Sequence, residues 1–348
     1  MNTFGRTLRL TTFGESHGEA IGGIIDGFPA GFRLDLKAVQ AFVSARRPGA
    51  SPLTSTRNEP DIVQFLSGIS PEGITFGYPI GFIIKNADTR PSDYANLRDV
   101  FRPNHADFTY QAKYGLRDHR GGGRSSARET ANWVVAGALA IQLLQYHHVA
   151  IEARLVSVGK CDDPTLFHSY IEQIRALGDS VGGCVEGIIS GLPAGVGDPI
   201  FDKLDARLAH AMLTINGAKG FESGAGFEMA RALGSEVSDT FKGLGKQGSL
   251  TDTNFCGGVL GGISDGMPVT FRVAFKPTPT IGHPLPTIDS AGNPATLRAA
   301  GRHDPCIAVR GAHVVKAMAA LCVADLMLSD GFIPPTAVNR TYSPNPGL

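Results

Sequence analysis

The residues with the clearest chemical meaning lie between His119 and Thr130, where the chain reads His-Arg-Gly-Gly-Gly-Arg-Ser-Ser-Ala-Arg-Glu-Thr. Three glycines let the backbone adopt positive φ and approach a ligand closely. Ser126 and Glu129 have the spacing of a capping box, which predicts that a helix begins here. The free N–H groups of that helix end, together with the flanking guanidinium groups, suit a phosphate or a carboxylate. We therefore expect an anion-binding site.

Three other segments place acid–base groups on predicted loops. Gly14–Gly18 reads Gly-Glu-Ser-His-Gly, so it offers His17 and also fits the Gly-x-Ser-x-Gly pattern of serine hydrolases. Only 13 residues precede this segment, whereas a hydrolase elbow follows several strands, so a nucleophilic Ser16 is the weaker interpretation. His105 lies in Arg-Pro-Asn-His-Ala-Asp, and imidazole suits proton transfer near neutral pH. Asp304 precedes a second apolar helix, where it can cap the helix as well as take a proton.

Polar and basic turns add further candidate ligands for an anion. Lys276–Thr280 reads Lys-Pro-Thr-Pro-Thr at the end of a predicted strand, and Asn216-Gly217 lies in a glycine-framed turn. Arg46 and Arg47 follow a short predicted helix. Of the 32 basic residues, 22 are Arg and 10 are Lys. Because Arg binds carboxylate and phosphate through paired hydrogen bonds, this surplus favours small anionic ligands.

Composition argues against several classes of protein. A formal net charge of zero provides no global field for duplex nucleic acid, and one Arg-Gly-Gly-Gly-Arg segment without interleaved aromatics makes RNA binding the weaker alternative. Five scattered cysteines, no leader and no apolar run near 18 residues predict reduced thiols, a cytoplasmic location and no membrane span. No metal-site or P-loop motif occurs, so we expect no metal.

The chain contains an internal repeat. Two pairs of segments match in sequence, namely 23–31 with 187–195 and 73–82 with 262–271. Each half also predicts a short and a long helix, at 35–47 and 128–148 in the first half and at 201–215 and 308–329 in the second. We therefore predict an α+β fold, a single pseudo-symmetric β-α-β sandwich whose antiparallel sheets flank a central layer of long helices.

Taken together, these segments resemble the chorismate synthase family. The matching motifs occur in family order and span residues 5–331: GESHG at 14–18, RRPG at 46–49, RPNHADFTY at 102–110, HRGGGRSSARET at 119–130, INGAKG at 215–220, GGISDG at 261–266, KPTPTI at 276–281 and GRHDPC at 301–306. Each motif is short, but their combination is specific. One departure is Asn104, which stands where the family usually has Gly.

The resemblance implies a carbon–oxygen lyase that converts 5-enolpyruvylshikimate 3-phosphate to chorismate and phosphate by 1,4-anti elimination, the last step of the shikimate pathway to the aromatic amino acids. It implies reduced FMN (FMNH2) as cofactor, with NADPH as a source of reducing equivalents. The implied catalytic residues are His17, as the acid near the departing phosphate, His105, as a proton donor to the flavin, and Asp304, which helps to remove the C6 proton.

The resemblance also implies the ligands of each molecule. The substrate ligands are Arg47, Arg102 and Arg128, and the NADP ligand is Arg46. The flavin ligands are Arg124, Ser125, Ser126, Asn216, Gly217, Gly261, Lys276, Pro277, Thr278, Pro279, Thr280 and Arg302. A single domain over residues 1–333, with half-repeats at about 10–150 and 180–331, and a homotetramer are expected. Residues 334–348 have little to bury, which predicts a mobile tail.

Overall fold

The computed structural model describes residues 1–49, 59–88, 97–298 and 304–337. The strands in these residues are β1 Thr3–Phe4, β2 Arg9–Gly14, β3 Ala20–Asp26, β4 Val63–Phe65, β5 Ile80–Lys85, β6 Ala150–Val158, β7 Gly183–Ser190, β8 Ala218–Ser223, β9 Phe241–Leu244, β10 Ser249–Thr251, β11 Val259–Leu260, β12 Ile263–Ser264, β13 Val269–Phe275, β14 Leu285–Ile288 and β15 Pro294–Leu297. The helices are α1 Leu36–Arg46, α2 Asp107–Tyr114, α3 Thr130–Tyr146, α4 Phe167–Ala176, α5 Leu204–Thr214 and α6 Ala308–Ser329.

Two antiparallel sheets have matching strand orders. The first runs β1-β2-β3-β5-β4, and the second runs β6-β7-β13-β8. The repeated Gly-Ile-Ile sequence lies in β3 of the first sheet and in β7 of the second. Each of these strands pairs with the strand that precedes it in its sheet, and on its other side with β5 or β13. The helices lie close to the predicted bounds, and the predicted α+β class is confirmed.

The strands are half-buried, as their alternating patterns require. In β5 the side chains of Ile80, Phe82 and Ile84 are buried, while Gly81 and Ile83 between them face outward. Successive side chains of a strand point to opposite faces, so one face of the sheet packs on the core. In the second sheet, β13 follows the same rule, with Val269, Phe271 and Val273 buried and Thr270 and Arg272 between them less buried.

The long apolar helices α3 and α6 pack against each other at the centre of the molecule. Gly137 of α3 lies so close to Ala317 of α6 that a Cβ on the glycine would overlap the alanine, which explains the glycine inside a helix. Helix α3 also contacts β2 and β3 of the first sheet and β6 of the second, whereas α6 contacts β6, β7 and β13. Helix α6 therefore packs on the second sheet, and α3 lies between the two sheets.

By length and composition alone, one helix in the described part of the chain, α6, meets the requirement for crossing a membrane. However, 78% of its most apolar window is buried inside the structure. Core helices that are covered on all sides have this character, so packing accounts for the apolar sequence of α6.

Helix α6 also anchors the start of the chain through Asp325. This fully buried carboxylate accepts hydrogen bonds from the backbone N–H groups of Thr7 (2.7 Å) and Leu8 (2.9 Å). Arg207 of α5 donates to the same carboxylate at 2.6 Å. A buried charge is tolerated when it is paired and hydrogen-bonded in this way.

The predicted tail begins at residue 334, but the first part of it is hydrogen-bonded. Ala30 donates to the carbonyl of Pro335 at 3.2 Å and accepts from the N–H of Ala337 at 2.8 Å. These hydrogen bonds join residues 335 and 337 to the loop after β3, and the mobility of the tail stays a prediction. Residues 338–348 lie outside the described residues.

Candidate active site

A cavity of about 380 Å³ lies where the loop before α3 meets the loop before α6. These two loops contribute Gly121, Ser125, Ser126, Ala127, Arg128, Asp304 and Ile307, and the first turn of α6 adds Arg310. The end of α1 and the residues after it contribute Arg46 and Pro48, α3 contributes Thr130, and α6 contributes Gly311 and Val314. The loop before α2 contributes Arg102, Asn104, His105 and Ala106. The turn after α5 contributes Ile215, Asn216 and Gly217, and the end of β13 with the residues after it contributes Phe275, Lys276, Thr278, Pro279 and Thr280. Most of the site residues predicted from the sequence are thus brought together.

The loop before α3 ends in a helix cap, as predicted, but only half of the capping box forms. The Ser126 hydroxyl accepts from the N–H of Arg128 at 3.3 Å, and a short 3₁₀ turn leads into α3. Glu129 does not accept from the N–H of Ser126, which donates instead to the carbonyl of Gly123. The Glu129 carboxylate faces Arg124 at 3.1 Å. Its pKa is raised above the usual value because burial outweighs these contacts.

The glycine run brings the two predicted histidines to one loop. Gly121 has φ of +69°, and a Cβ at this position would overlap Cε1 and Nδ1 of the His17 ring. Gly122 has φ of +84°, and its Cβ would lie 3.3 Å from Cε1 of His105. His17 itself does not line the cavity, although Gly121 does. The glycines are required here both by their left-handed backbone and by the rings packed against them.

His105 is held beside a buried carboxylate. Its Nδ1 lies 3.0 Å from Oδ1 of Asp107, which also binds the guanidinium of Arg102. Burial lowers the pKa of His105 below its ordinary value, against the opposing effect of Asp107. Burial alone would raise the pKa of Asp107, but hydrogen bonds from Arg102 and His105 hold it well below its usual range. Asn104 has φ of 56°, a left-handed conformation that Asn tolerates and that explains why Gly is usual there.

Three arginines form the basic wall of the cavity. Arg46 is fully buried, and burial together with the nearby charge of Arg310 lowers its pKa to about 9. Its Nη1 donates to Thr130 at 3.2 Å, while Arg128 binds the buried Asp61. Among the described residues, Nε and Nη2 of Arg46 and Nη2 of Arg128 find no hydrogen-bond partner. The two Nη2 atoms form only long ion pairs, of 3.8 Å, with the buried carboxylates of Asp61 and Glu59. Buried donors of this kind cost free energy unless an acceptor arrives, so this wall suits an anionic ligand.

Asp304 enters the cavity from the loop before α6. Its Oδ2 accepts from Nη1 of Arg310 at 2.8 Å, and its backbone carbonyl accepts from the hydroxyl of Thr278. The carboxylate does not cap α6, because the residue before that helix is Ile307 and no side chain caps its first turn. Asp304 is therefore an oriented carboxylate at the cavity, and the simpler capping role suggested by the sequence is wrong.

The turn after α5 is joined to the loop before α3. Nδ2 of Asn216 donates to the carbonyl of Ser125 at 3.0 Å, which leaves its buried Oδ1 with no partner among the described residues. The carbonyl of Gly217 accepts from the N–H of Lys276 at 2.9 Å, and a Cβ on Gly217 would overlap Ile307. This cradle offers a buried acceptor, hydroxyls and a cation to a flat polar ligand.

Several predicted ligands do not line the cavity. Arg124 turns away from it and donates to the carbonyl of Gly14 (3.0 Å) and the hydroxyl of Thr12 (2.8 Å). Gly261 lies exposed in the tight turn between β11 and β12. Arg47 and Pro277 also do not line the cavity. Arg302 lies outside the described residues. Arg46, expected to contact NADP, is instead enclosed in the cavity wall.

The structure contradicts the serine-hydrolase alternative. Ser16 lies in the turn between β2 and β3, which pair with each other as an antiparallel hairpin. A nucleophile elbow requires a turn from a strand into a helix, with the hydroxyl exposed at the top of the sheet. Ser16 is buried instead. Within the described residues, no group of His, Cys, Asp and Glu side chains is arranged to hold a metal ion.

Comparison with known proteins agrees with this site. The family model for chorismate synthase matches residues 8–328. A chorismate synthase of Christiangramia forsetii is 49% identical, over 94% of this chain and 98% of that protein. A chorismate synthase of Campylobacter fetus subsp. fetus is 46% identical, over 99% of this chain and 100% of that protein. The chain belongs to the chorismate synthase family.

The fold agrees with this membership. A crystal structure of chorismate synthase matches with a TM-score of 0.73 and 29% identity, over 94% of this chain and 93% of that one. The resemblance stated from the motifs is therefore confirmed, and with it the activity of a lyase at the last step of the shikimate pathway. The cavity described above is the place in this chorismate synthase fold where the predicted site residues meet.

Proposed function

We propose that the cavity where the loops before α3 and α6 meet binds 5-enolpyruvylshikimate 3-phosphate. There the enzyme would eliminate phosphate from this substrate, in the 1,4-anti sense, to give chorismate. The observation that carries this proposal is the basic wall, in which Arg46 and Arg128 keep buried guanidinium N–H groups that find no hydrogen-bond acceptor in the described residues beyond carboxylates 3.8 Å away. Arg102 and Arg310 add two more guanidinium groups to the lining. A substrate with two carboxylates and a phosphate supplies the acceptors that these donors need.

The proposed acid and the proposed base act at different positions of the substrate. His17, packed against Gly121, is the proposed acid for the departing phosphate. Asp304, held by Arg310, is the proposed acceptor of the C6 proton. Arg47, half-buried just beyond α1, would enter the substrate site from the edge. Each correctly placed acid or base contributes about 10²–10⁴ in rate.

The cofactor we propose is reduced FMN, which when bound supplies electron density to the allylic phosphate without a net redox change. The buried Oδ1 of Asn216 fits an N–H of the flavin ring, and the hydroxyls of Ser125, Thr278 and Thr280 fit its other polar edges. His105 would hold a proton toward the ring. The hydroxyl of Ser126, which lines the cavity at the start of the 3₁₀ turn, fits a phosphate. Arg302, Gly261 and Pro277 stay in the proposed flavin set, and NADPH stays the proposed source of reducing equivalents.

Arg124 also remains in the proposed flavin set, although it faces β2 in the structure described. The side chain of Arg124, which forms an ion pair with Glu129, is 29% exposed to solvent. Contact with a flavin would require Arg124 to exchange its bonds to Gly14 and Thr12 for bonds to the ligand.

We further propose a single domain over residues 1–333 that arose by internal duplication and folds as a pseudo-symmetric β-α-β sandwich. The matching strand orders of the two sheets, and the packing of α3 on α6, support this proposal. A homotetramer and a cytoplasmic location complete it, with no nucleic-acid partner. Both arginines of the Arg-Gly-Gly-Gly-Arg segment are already paired within the chain, Arg120 with Asp118 and Arg124 with Glu129, which disfavours RNA binding.

A titration of oxidised FMN tests the shared site. FMN alone should bind weakly, and adding the phosphorylated substrate should tighten binding and change the flavin absorbance. The variant Asn216→Ala should reduce flavin affinity, whereas Asn293→Ala, in the turn between β14 and β15 far from the lining residues, should not. Equal flavin affinity with and without substrate would contradict a joint site.

A further inference from the structure

Asp107 is a carboxylate that faces both a predicted acid, His105, and a predicted anion ligand, Arg102. It is the first residue of α2 and is only 3% exposed. Its Oδ2 accepts from Nε of Arg102 at 2.7 Å and from the backbone N–H of that residue at 3.2 Å. Its Oδ1 accepts from Nη2 of Arg102 at 2.9 Å and lies 3.0 Å from Nδ1 of His105.

A second arginine fixes this carboxylate from behind. Nη1 of Arg117 lies 3.4 Å from Oδ1 of Asp107. The Nη2 group of Arg117 donates to the carbonyls of Leu97, Arg98 and Val100, and its guanidinium lies over the ring of Phe101 at 5.2 Å. The carboxylate therefore cannot rotate without breaking several hydrogen bonds.

We propose that Asp107 is a positioning residue of the reaction. It holds His105 in the Nδ1–H tautomer, so that Nε2 is the nitrogen presented to the cavity, and it fixes the fork of Arg102 toward the substrate anion. Nδ1 of His105 is within hydrogen-bonding distance of Oδ1 of Asp107, although the N–H is not well aligned with that oxygen. An ionised carboxylate accepts hydrogen bonds only, so the proton belongs on the nitrogen beside it. The assignment of roles rests on the proposed function, but the tautomer does not.

The charged groups around His105 agree with this role. Arg102 and Asp107 face it from the loop and from α2, Arg117 faces it across the carboxylate, and Lys276 faces it from the end of β13. The two nearest cations, Arg102 and Lys276, disfavour a charged imidazole, and Asp107 opposes them. Because Nδ1 already carries a proton, His105 donates from Nε2 only as the imidazolium, a form that Asp107 favours against burial, Arg102 and Lys276.

Asp107→Asn tests the proposal because it nearly preserves shape. The single carbonyl oxygen of an asparagine would be taken by Arg102, and its amide would donate to Nδ1 of His105. The imidazole must then accept at Nδ1 and carry its proton on Nε2. In a Ser-His-Asp triad the same exchange leaves the geometry intact and costs about 10⁴ in rate through the wrong tautomer.

The readout is ¹⁵N NMR of histidine-labelled protein, with the His105 signals assigned by loss in His105→Gln. We expect the Nδ1–H tautomer in the wild-type chain, Nε2–H in Asp107→Asn, and return of Nδ1–H in Asp107→Glu. Asp325→Asn is the matched control, because Asp325 is also buried and bound to an arginine, yet lies away from the cavity lining. This control should lower stability and leave the His105 tautomer unchanged.

Kinetics separate positioning from a merely structural role. Asp107→Asn should lower kcat by about 10²–10⁴ and also raise KM, because it disturbs both His105 and Arg102. His105→Gln should lower kcat alone. An Nε2–H tautomer in the wild-type chain, or an unchanged tautomer in a folded Asp107→Asn variant, would overturn the inference. Loss of the lyase reaction from a chain with the expected tautomers would instead count against the proposed function.

Discussion

Gly121 packs directly against the imidazole of His17, and no side chain fits between them. The turn after β2, which carries His17, therefore contacts the loop before α3 at Gly121. The same glycine lines the cavity, so this contact lies at the cavity wall. The neighbouring Gly122 approaches His105 in the same way. The run of glycines thus sets the position of two acid–base groups, in addition to making backbone N–H groups accessible to an anion.

Gly121→Ala should displace His17 and lower turnover by about 100-fold, the scale of an ångström-sized misplacement. The matched control is Gly292→Ala. Gly292 also has a positive φ, of +88°, but nothing lies within 4 Å of its added Cβ. Both variants should lose about 1–2 kcal/mol of unfolding free energy from backbone strain, but only Gly121→Ala should lose turnover. Equal kcat in the two variants would contradict the proposed position of His17.

Arg310→Gln should free the carboxylate of Asp304 from its 2.8 Å partner. We expect kcat to fall by about 100-fold, because the proposed proton acceptor would no longer be oriented. Rapid-quench measurement of a single turnover, with C6-deuterated substrate, reports on this step directly. The deuterium isotope effect should become larger in the variant. An unchanged isotope effect and rate would exclude a positioning role for Arg310.

Arg46→Met should weaken substrate binding. The change keeps most of the side-chain volume but removes a buried charge that lines the cavity. A hydrogen bond from a charged group contributes about 1.5–3 kcal/mol, so we expect KM for the phosphorylated substrate to rise by at least tenfold. The control is Arg175→Met, on the surface of α4 beside Glu172. If KM stayed at the wild-type value, the basic wall would not be the substrate site.

The acid sensitivity of the fold should depend on His105. Burial lowers its pKa below 6.5, so its contribution to stability is complete above that pH and is lost as the pH falls through the folded-state pKa. Asp107, with its pKa held below 3.8, loses its contribution only at lower pH. Between about pH 7 and about pH 5, urea unfolding should therefore show a smaller loss of free energy in His105→Gln than in the wild-type chain. Parallel curves would show that His105 does not titrate in that window.

Much of the fold could be predicted because its signals are local. The apolar sequence of α3 and α6 and the repeated Gly-Ile-Ile segments are readable along the chain. Convergence of the loops before these helices follows from the repeat, and the cavity lies there. The capping assignment of Asp304 is wrong because α6 begins only at Ala308, and Arg310 in its first turn binds the carboxylate instead.

Other parts of the site depend on contacts that the sequence pattern does not reveal. Nothing in the spacing distinguishes Arg124, which turns toward β2, from Arg128, which turns toward the buried Asp61. The burial of Arg46 likewise arises from α3 and α6 packing over the end of α1. The sequence does contain one indication that Asp107 belongs to the site, because it follows His105 by two residues. An acidic side chain at the start of a helix, here α2, is however usually explained by the helix dipole.

Anaerobic turnover tests the central claim most directly. The purified chain is mixed with 5-enolpyruvylshikimate 3-phosphate and chemically reduced FMN, and chorismate and phosphate are measured together, with oxidised FMN as the control. The proposed site predicts equal amounts of both products with reduced FMN and none with oxidised FMN. Absence of chorismate under reducing conditions, from a folded chain that binds the flavin, would contradict it.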